Sequence, residues 1–223
     1  MSYAIAIDGP AGAGKSTIAR RVAEHLHILY LDTGAMYRAI GYAALSQGIS
    51  PRDADAVEAM LQTTTLTVQF IDGTQHVILN GQDVTGLIRT PEMSVAASDI
   101  SALPCVRHYL VARQRDIAKV QPLVMDGRDI GSYVLPDAPY KFFLTASPDE
   151  RARRRLHDLH QAGNLSATIE SVLAEILYRD QQDTTRIMAP LVRAADAALI
   201  DTTHLTIDQV VQTMLSSIEE KPL

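Results

Sequence analysis

The feature that most constrains this chain is a glycine-rich loop near its start, set between an apolar run and a helical pattern. Residues 9–16 have the sequence GPAGAGKS, which fits the pattern G-x-x-x-x-G-K-[ST]. The glycines of such a loop let backbone N–H groups converge on phosphate oxygens, and the following helix directs the positive end of its dipole at them. Strand, loop and helix in this order therefore predict a phosphate cradle at the carboxyl edge of a parallel sheet.

The rest of the chain is consistent with such a sheet. Short apolar runs alternate with helical patterns, which is typical of parallel strands covered by helices. The runs are residues 3–8, 28–32, 123–126, 140–145 and 197–201. Because both alternations of these runs are apolar, we expect central strands that are buried on both faces. The sequence thus predicts an α/β fold of the P-loop NTPase type, with three layers and a five-stranded parallel sheet.

One stretch, about residues 63–88, departs from this rhythm. Its apolar residues alternate with polar ones around two turn signals, Asp72-Gly73 and Asn80-Gly81. This pattern predicts a small antiparallel β insertion. Such an insertion could cover an acceptor site, and it could equally be a passive decoration.

A second distinct segment, about residues 148–187, is rich in arginine. Ser147, Pro148 and Glu150 predict the start of a helix, with Ser147 as the N-cap and Glu150 completing a capping box. The arginines of this segment include Arg151, Arg153, Arg154, Arg155, Arg179 and Arg186. A basic helix is commonly a solvated face. Here a polar stretch follows a strongly apolar helix, and this arrangement resembles the arginine-rich helical lid that closes over ATP in small nucleotide kinases.

Composition and length narrow the class of protein. We expect one domain over residues 1–223, whose core comprises residues 1–62, 89–147 and 188–223. The net charge of −6 argues against a general binder of nucleic acid or membrane surfaces, which needs a broad basic face. The single cysteine excludes an internal disulfide, no apolar run approaches transmembrane length, and nothing before residue 3 has the length of a signal peptide. We therefore expect a monomer located in the cytoplasm.

The glycine-rich loop assigns the first candidate site residues. Those expected to bind ATP are Gly9, Pro10, Ala11, Gly12, Ala13, Gly14, Lys15, Ser16 and Thr17. Lys15 is expected to bridge the β- and γ-phosphates, and Ser16 to coordinate Mg²⁺ directly. Asp126 ends a strand predicted to lie beside the strand of the loop, so it could support Mg²⁺ through water. GTPases, ATPases, kinases and inactive regulators share this loop, but the length of the chain favours a small kinase.

Two further segments indicate a second anion site. In residues 32–38, DTGAMYR, Thr33 stands where a hydroxyl would cap a helix, and Arg38 follows a little over one turn later. The pair could grip an acceptor phosphate, or it could be an ordinary N-cap with a surface arginine. In residues 126–131, DGRDIG, Arg128 and Asp129 stand between two glycines at a strand end. A simple surface turn is the alternative there, but the glycines favour a backbone close to a ligand.

With these motifs the sequence resembles bacterial-type cytidylate kinase, from residue 3 to residue 218. The glycine-rich loop is generic, whereas LDTGAMYR, DGRDIG and RDQQDTTRIMAPL are together highly specific. The remaining motifs that carry the resemblance are IRTPE, LPDAPYKFFLTAS, ERARRR and ADAALIDTT. The chain departs from the family in carrying Gln181 and Gln182 where some members have more arginine, and Ser132-Tyr133 in place of Thr-Val.

The resemblance implies how an acceptor nucleotide is recognised. The positions that surround the CMP phosphate in the family are here Thr33, Arg38, Arg128 and Arg186. The positions that recognise cytosine are Ser98, Arg107 and Asp129, and the position that contacts the ribose hydroxyls is Asp183. A carboxylate can accept from the exocyclic amine of cytosine, whereas uracil presents an acceptor at that place. The β insertion resembles the family's CMP-binding subdomain.

The resemblance also implies the reaction, which is ATP-dependent phosphorylation of CMP and dCMP by direct in-line transfer of the γ-phosphoryl group, with Mg²⁺ bound alongside ATP. The expected catalytic residues are Lys15, Arg128, Arg155, Arg179 and Arg186. Which of the last three contributes most stays open. Two other functions also stay open: a P-loop kinase for another small acceptor, such as UMP, shikimate or gluconate, and a nucleotide-binding regulator without transfer activity.

Overall fold

Parallel strands form the centre of the molecule, as the apolar runs predict. The structure is a computed structural model that describes residues 3–220, so the outermost residues of the predicted core, 1–2 and 221–223, lie outside the described residues. The strands, numbered along the chain, are β1 (Ala4–Asp8), β2 (Leu29–Asp32), β3 (Leu66–Ile71), β4 (Thr74–Leu79), β5 (Gln82–Asp83), β6 (Leu123–Gly127), β7 (Tyr140–Thr145) and β8 (Ala198–Asp201). The main sheet is parallel, in the order β2-β6-β1-β7-β8. All five predicted strands are confirmed to within one residue at each end.

Helices cover both faces of this sheet. They are α1 (Lys15–Leu26), α2 (Thr33–Ser46), α3 (Ala54–Leu61), α4 (Pro91–Ile100), α5 (Pro104–Val120), α6 (Pro148–Gln161), α7 (Ile169–Thr185) and α8 (Ile207–Glu219). A short π-helical turn, Ile130–Val134, follows β6. Within residues 3–220, no helix is both long enough and apolar enough to cross a bilayer.

Burial on both faces explains why the strands are apolar throughout. Successive residues of a strand point to opposite faces of the sheet. In β1, Ala4 and Ala6 belong to the core on one face, together with α2 and α5. Ile5 and Ile7 belong to the core on the other face, together with α1 and α8. Each fully buried isoleucine contributes about 1.5–3 kcal/mol of hydrophobic stabilisation, so the central strand firmly fixes the loop that follows it.

The predicted β insertion is confirmed as a separate antiparallel sheet of β3, β4 and β5. Its apolar face packs on the main core through Leu66, Val77 and Leu79. The side chain of Gln75 joins the insertion to the parallel sheet. Its amide oxygen accepts from the N–H of Asp32 at 2.7 Å, and its amide nitrogen donates to the Asp32 carbonyl at 3.1 Å. Gln75 thereby pairs with the Asp32 backbone as a neighbouring strand would.

The predicted lid consists of α6 and α7, which pack together around a small apolar cluster of Ala152, Leu159, Val172 and Ile176. The predicted N-cap is confirmed, because the Ser147 hydroxyl accepts from the N–H of Glu150. The second half of the predicted capping box is wrong. The Glu150 carboxylate accepts from Arg153 and Arg154, and the Ser147 N–H donates to the Thr203 hydroxyl at 3.0 Å. The two arginines offer the carboxylate stronger, charge-assisted partners than a backbone amide does.

Candidate active site

A cavity of about 600 Å³ opens above the carboxyl ends of β1, β2 and β6. The predicted site residues that line it are Ala11, Gly12, Gly14, Lys15, Ser16, Thr17, Thr33, Arg38, Ser98, Asp126, Arg128, Asp129, Arg155, Arg179, Asp183 and Arg186. Gly9, Pro10 and Ala13 are buried in the loop, and Arg107 is completely buried behind the cavity wall. The fold therefore brings residues from distant parts of the chain to one edge of the sheet.

The glycine-rich loop forms one end of the cavity, and two of its glycines stand where a larger side chain would clash with neighbouring residues. A Cβ added at Gly9 would lie 2.0 Å from the carbonyl oxygen of Leu144. Gly12 has a φ of +75°, and a Cβ there would lie 3.0 Å from Cβ of Arg151. Helix α1 begins directly after the loop without a side-chain cap. Its first N–H groups are therefore available to an anion.

Lys15 and the residues around it make this end of the cavity strongly electropositive. Its Nζ donates to the carbonyl of Pro10 at 2.7 Å, so the ammonium group is held over the loop. Burial, and then the positive charge of Arg128, lower the pKa of Lys15 well below its usual range. The negative charge of a phosphate bound here would favour the charged ammonium and raise the pKa of Lys15 back toward its usual range.

Ser16 and Asp126 form a pair of hard oxygen ligands beside the loop. The Ser16 hydroxyl donates to Oδ2 of Asp126 at 2.9 Å, and Tyr30 donates to Oδ1 at the same distance. β6 lies next to β1 with Ile7 opposite Asp126, as the sequence predicts. Burial, and then the neighbouring Asp32, raise the pKa of Asp126. The donor set suits Mg²⁺, which prefers oxygen ligands and keeps several waters.

Asp8 is a part of the site that sequence analysis does not single out. Its carboxylate accepts from the N–H groups of Ile130 and Gly131, both at 2.7 Å. Burial raises the pKa of Asp8 to about 6. Because Asp8 directly precedes the glycine-rich loop and Ile130 directly follows Asp129, this carboxylate joins the two ends of the cavity. The acidic residues at several strand ends are the signal that could have identified it.

The start of α2 differs from its predicted form. Asp32, not Thr33, is the N-cap, and its carboxylate accepts from the N–H of Ala35 at 2.9 Å. Thr33 instead donates its hydroxyl to the Asp126 carbonyl at 2.7 Å. Arg38 pairs with Asp32 at 2.8 Å and lies against the cavity, so it is not a surface arginine. An aspartate before a threonine competes for the cap position, and both residue types are good caps.

Asp129 lies between two arginines at the other end of the cavity. One carboxylate oxygen accepts from Arg107, and the other accepts from Arg186 at 3.0 Å. Arg107 also stacks over the ring of Tyr37 at 5.7 Å. The Ser98 hydroxyl is buried and has no hydrogen-bond partner among the described residues. This end therefore combines a fixed carboxylate with an unused hydroxyl donor.

Asp183 and the arginines near it connect the lid to the core. Its carboxylate accepts from Nε of Arg128 at 2.7 Å and lies 3.5 Å from Arg186. Burial disfavours the charge on Asp183, but Arg128 and Arg186 outweigh it and lower the pKa of this carboxyl. Burial also opposes the charge on Arg128, yet Asp183 raises the pKa of the guanidinium.

The lid arginines have different environments although they lie close together in sequence. Arg155 and Arg179 line the cavity, and the Nε of each is buried without a hydrogen-bond partner in the described part of the chain. Burial, and then Arg128, lower the pKa of Arg179 to about 10. Arg151 is buried beneath the glycine-rich loop, where it donates to the Ala11 carbonyl at 3.0 Å and pairs with Asp180. Arg153 is largely exposed.

The comparisons with known proteins agree with one another. A family model described as cytidylate kinase matches residues 5–220. A relative named cytidylate kinase from Caldicellulosiruptor bescii is 49% identical over 211 residues, which cover 95% of this chain and 93% of the relative. A second, from Carboxydothermus hydrogenoformans, is 49% identical and covers 97% of both chains. A solved structure described as a gluconokinase from Sinorhizobium meliloti 1021 has a TM-score of 0.50 at 16% identity, covering 98% of this chain and 93% of its own, which shows a shared fold.

Proposed function

The chain belongs to the cytidylate kinase family, and from this premise we propose that it transfers the γ-phosphoryl group of ATP to CMP and to dCMP. Relatives with this name match nearly the full length of the chain, so the whole catalytic unit is shared. The proposal concerns the reaction, its substrates and the residues that carry it out.

One observation carries the proposal. Of the ten buried side-chain polar atoms that lack a partner within residues 3–220, five belong to residues that line one cavity, namely the hydroxyl of Tyr37, Nε of Arg38, Oγ of Ser98, Nε of Arg155 and Nε of Arg179. A buried donor without a partner is costly, typically about 1–3 kcal/mol. Their grouping around one cavity supports a polyanionic ligand there that satisfies several of them at once.

The donor nucleotide would lie at the loop end of the cavity. Backbone N–H groups of residues 11–17 would bind the β- and γ-phosphates, and Lys15 would exchange its bond to Pro10 for phosphate oxygens. Mg²⁺ bound with ATP would offset the charge that builds up on the phosphates. Ser16 would hold this ion directly, and Asp126 would support it through water.

The acceptor would lie at the opposite end, with its phosphate between Arg38, Arg128 and Arg186. Asp129 would accept from the exocyclic amine of cytosine, and Ser98 would donate to the ring. Arg107 would act from behind Asp129, because it is fully buried and ion-paired with that carboxylate. Asp183 would contact the ribose hydroxyls while it holds Arg128. Uracil would present an acceptor to Asp129 and be disfavoured.

Transfer between the two phosphates requires little covalent chemistry from the protein. The acceptor is already an oxyanion, so positioning and charge stabilisation dominate the rate. Arg155, Arg179 and Arg186 would approach the transferring group, and the lid of residues 148–187 would exclude water from it. The insertion of residues 63–88 would close over the acceptor. Since residues of one chain line both ends of the cavity, we also propose that the enzyme acts as a monomer. We propose the cytoplasm as its location.

A coupled assay of ADP release tests this proposal directly. The purified protein is offered ATP and Mg²⁺ with CMP, dCMP, UMP, AMP or shikimate in turn. We expect the largest kcat/KM for CMP and dCMP, a smaller value for UMP, and background rates for AMP and shikimate. Background rates with all five acceptors would favour a regulator without transfer activity. A preference for AMP or shikimate would exclude cytidylate as the acceptor.

A further inference from the structure

The acceptor wall and the lid meet at a contact that the reaction described above does not use. Helix α4 carries Ser98 on the cavity wall, and its next residue is Asp99. Helix α7 carries Arg179 on the cavity wall, and the residue before it is Tyr178. The two helices pack against each other. The two residues that these helices contribute to the contact, Asp99 and Tyr178, are therefore each next in sequence to a residue that faces the proposed substrates.

The contact is a closed network of hydrogen bonds among Arg52, Asp99 and Tyr178. The Tyr178 hydroxyl donates to Oδ1 of Asp99 at 2.6 Å. Arg52 donates to the Tyr178 hydroxyl at 2.6 Å and to Oδ1 of Asp99 at 3.1 Å, and its Nε lies 3.1 Å from Oδ2. Arg52 belongs to the segment between α2 and α3, so the network joins the core, the acceptor helix and the lid helix.

The three groups do not contribute equally to this network. The side chain of Asp99 is 11% exposed, whereas that of Arg52 is 66% exposed. An exposed arginine pair is screened by water and contributes little. A hydroxyl bonded to a carboxylate is charge-assisted and short, and it is the stronger element here. The bond to Asp99 raises the pKa of Tyr178, so the hydroxyl keeps the proton that it donates.

We propose that Tyr178 and Asp99 are positioning residues that couple the lid to the acceptor. Their hydrogen bond fixes the position of α7, which carries Arg179 and Asp183, relative to α4, which carries Ser98. An acceptor that orders α4 thereby also fixes the lid arginine that faces the donor phosphates. This inference rests on the proposed function, because it takes the cavity to hold both nucleotides.

The coupling can be measured as the change that one ligand makes in the affinity for the other. Calorimetry gives the Kd of a non-hydrolysable ATP analogue, with Mg²⁺, in the absence and presence of saturating CMP. We expect CMP to tighten this Kd about 5-fold or more in the wild type, the lower end of ordinary coupling between sites. In Tyr178→Phe the factor should fall to about 1- to 2-fold, and kcat for CMP should drop about 2- to 10-fold, the worth of one hydrogen bond.

Tyr109→Phe is the matched control. Tyr109 also donates its hydroxyl, to the carbonyl of Thr64 at 2.7 Å, but this bond links α5 to the first residues of the β insertion and involves neither α4 nor the lid. Tyr109→Phe removes a tyrosine hydroxyl bond outside the proposed network, so it should leave the coupling factor at its wild-type value. Asp99→Asn is the second variant: it keeps an acceptor for Tyr178 and should lower the factor less than Tyr178→Phe does.

The outcomes separate this inference from the function on which it rests. A wild type that does not phosphorylate CMP would contradict the proposed function. A wild type that phosphorylates CMP, with the same coupling factor in Tyr178→Phe, would overturn the inference and leave the function intact. Equal losses of coupling in Tyr178→Phe and Tyr109→Phe would also overturn it, because the effect would then be a general loss of rigidity. A selective loss in Tyr178→Phe supports it.

Discussion

The two ends of the cavity are constructed in different ways. The donor end is a contiguous loop, residues 9–17, whose proposed ligand groups are backbone N–H groups, the Ser16 hydroxyl and the ammonium of Lys15, which donates to a backbone carbonyl. The acceptor end is assembled from side chains of several elements. Its arginines are held by carboxylates, with Arg107 and Arg186 on Asp129 and Arg128 on Asp183. The first end is defined by backbone conformation, and the second by buried ion pairs.

This difference determines how function relates to stability at each end. Removing one member of a buried ion pair leaves the other charge unpaired, which is strongly destabilising. Removing a side chain that the fold does not use leaves the structure intact. We therefore expect the two properties to be coupled at the acceptor end and separable at the donor end.

The largest expected effect is on stability at the acceptor end. Asp129→Ala leaves the buried Arg107 without its carboxylate, and we expect a loss of about 3–5 kcal/mol of unfolding free energy. For a chain of this size the loss corresponds to a Tm lowered by roughly 6–20 °C, measured by calorimetry. In Asp129→Ala, kcat/KM for CMP should fall by a larger factor than kcat/KM for UMP.

Asp116→Ala is the control for this change. Asp116 pairs with Lys119 on the surface, where both side chains are more than 70% exposed, and such a pair contributes about 1 kcal/mol or less. Equal shifts in Tm for the two variants would show that the acceptor end is no more dependent on its ion pairs than the surface is. Equal losses for CMP and UMP would remove Asp129 from base recognition.

At the donor end, the expected effect is on turnover alone. Lys15→Ala should lower kcat by on the order of 10²–10³ or more, the range seen when a donor that stabilises transition-state charge is removed. Because burial already disfavours the charge of Lys15, its loss should leave Tm unchanged or slightly raised. Lys119→Ala on the surface should change neither quantity. A large fall in Tm for Lys15→Ala would contradict the separation of function from stability.

The same difference explains what could be predicted from the sequence. The glycine-rich loop and all five strands are local patterns, and the structure confirms them. The ion pairs that join Asp129 to Arg107 and Arg186, and Asp183 to Arg128, are not local. Nothing in the neighbourhood of Arg151 distinguishes it from Arg155, yet one supports the loop from below and the other faces the cavity.

The cap at Asp32 and the arginine partners of Glu150 lie within six residues, so there the sequence offered competing local partners. The bond from the Ser147 N–H to Thr203, by contrast, joins residues far apart in the chain.

The roles assigned to individual site residues stay predictions, because they concern contacts with a nucleotide and not the fold. Arg38, Arg128 and Arg186 line the cavity beside the loop, and their contact with an acceptor phosphate stays a prediction. Gln75 and the network at Tyr178 have no counterpart in the motifs, because each links elements that only the fold brings together. The sequence thus predicts which elements form the site better than it predicts what holds them in place.

A smaller effect sharpens the comparison by testing backbone conformation itself. Gly12→Ala and Gly73→Ala both place a side chain at a left-handed φ, +75° and +74°, which costs about 1–2 kcal/mol in either case. Only the Cβ at position 12 meets another residue, since the space around Gly73 is open. We expect a larger loss in Tm for Gly12→Ala, because of this additional contact, and a KM for ATP raised about 10-fold in Gly12→Ala alone, since about 1.4 kcal/mol corresponds to one decade. Equal KM values would show that the loop tolerates the side chain.

The smallest expected effect concerns Asp8, which lies where the two ends meet. Burial raises its pKa from 3.8 to about 6, so the folded state holds this proton more tightly than the unfolded chain does. Between about pH 4 and pH 6 the folded state therefore binds more protons, and stability falls as the pH rises. From pH 5 to pH 7 the fall should be on the order of 1 kcal/mol.

Asp8→Asn isolates this contribution, because asparagine does not titrate while every other group in the protein still does. The variant can keep only one of the two bonds to the N–H groups of Ile130 and Gly131, so its stability at a single pH is not informative. The informative quantity is the difference in unfolding free energy between wild type and Asp8→Asn, measured by urea titration at several pH values. We expect the wild type to lose about 1 kcal/mol relative to the variant from pH 5 to pH 7. Parallel curves would mean that the carboxylate joining the two ends is solvated, and that the ends are less tightly joined than the hydrogen bonds indicate.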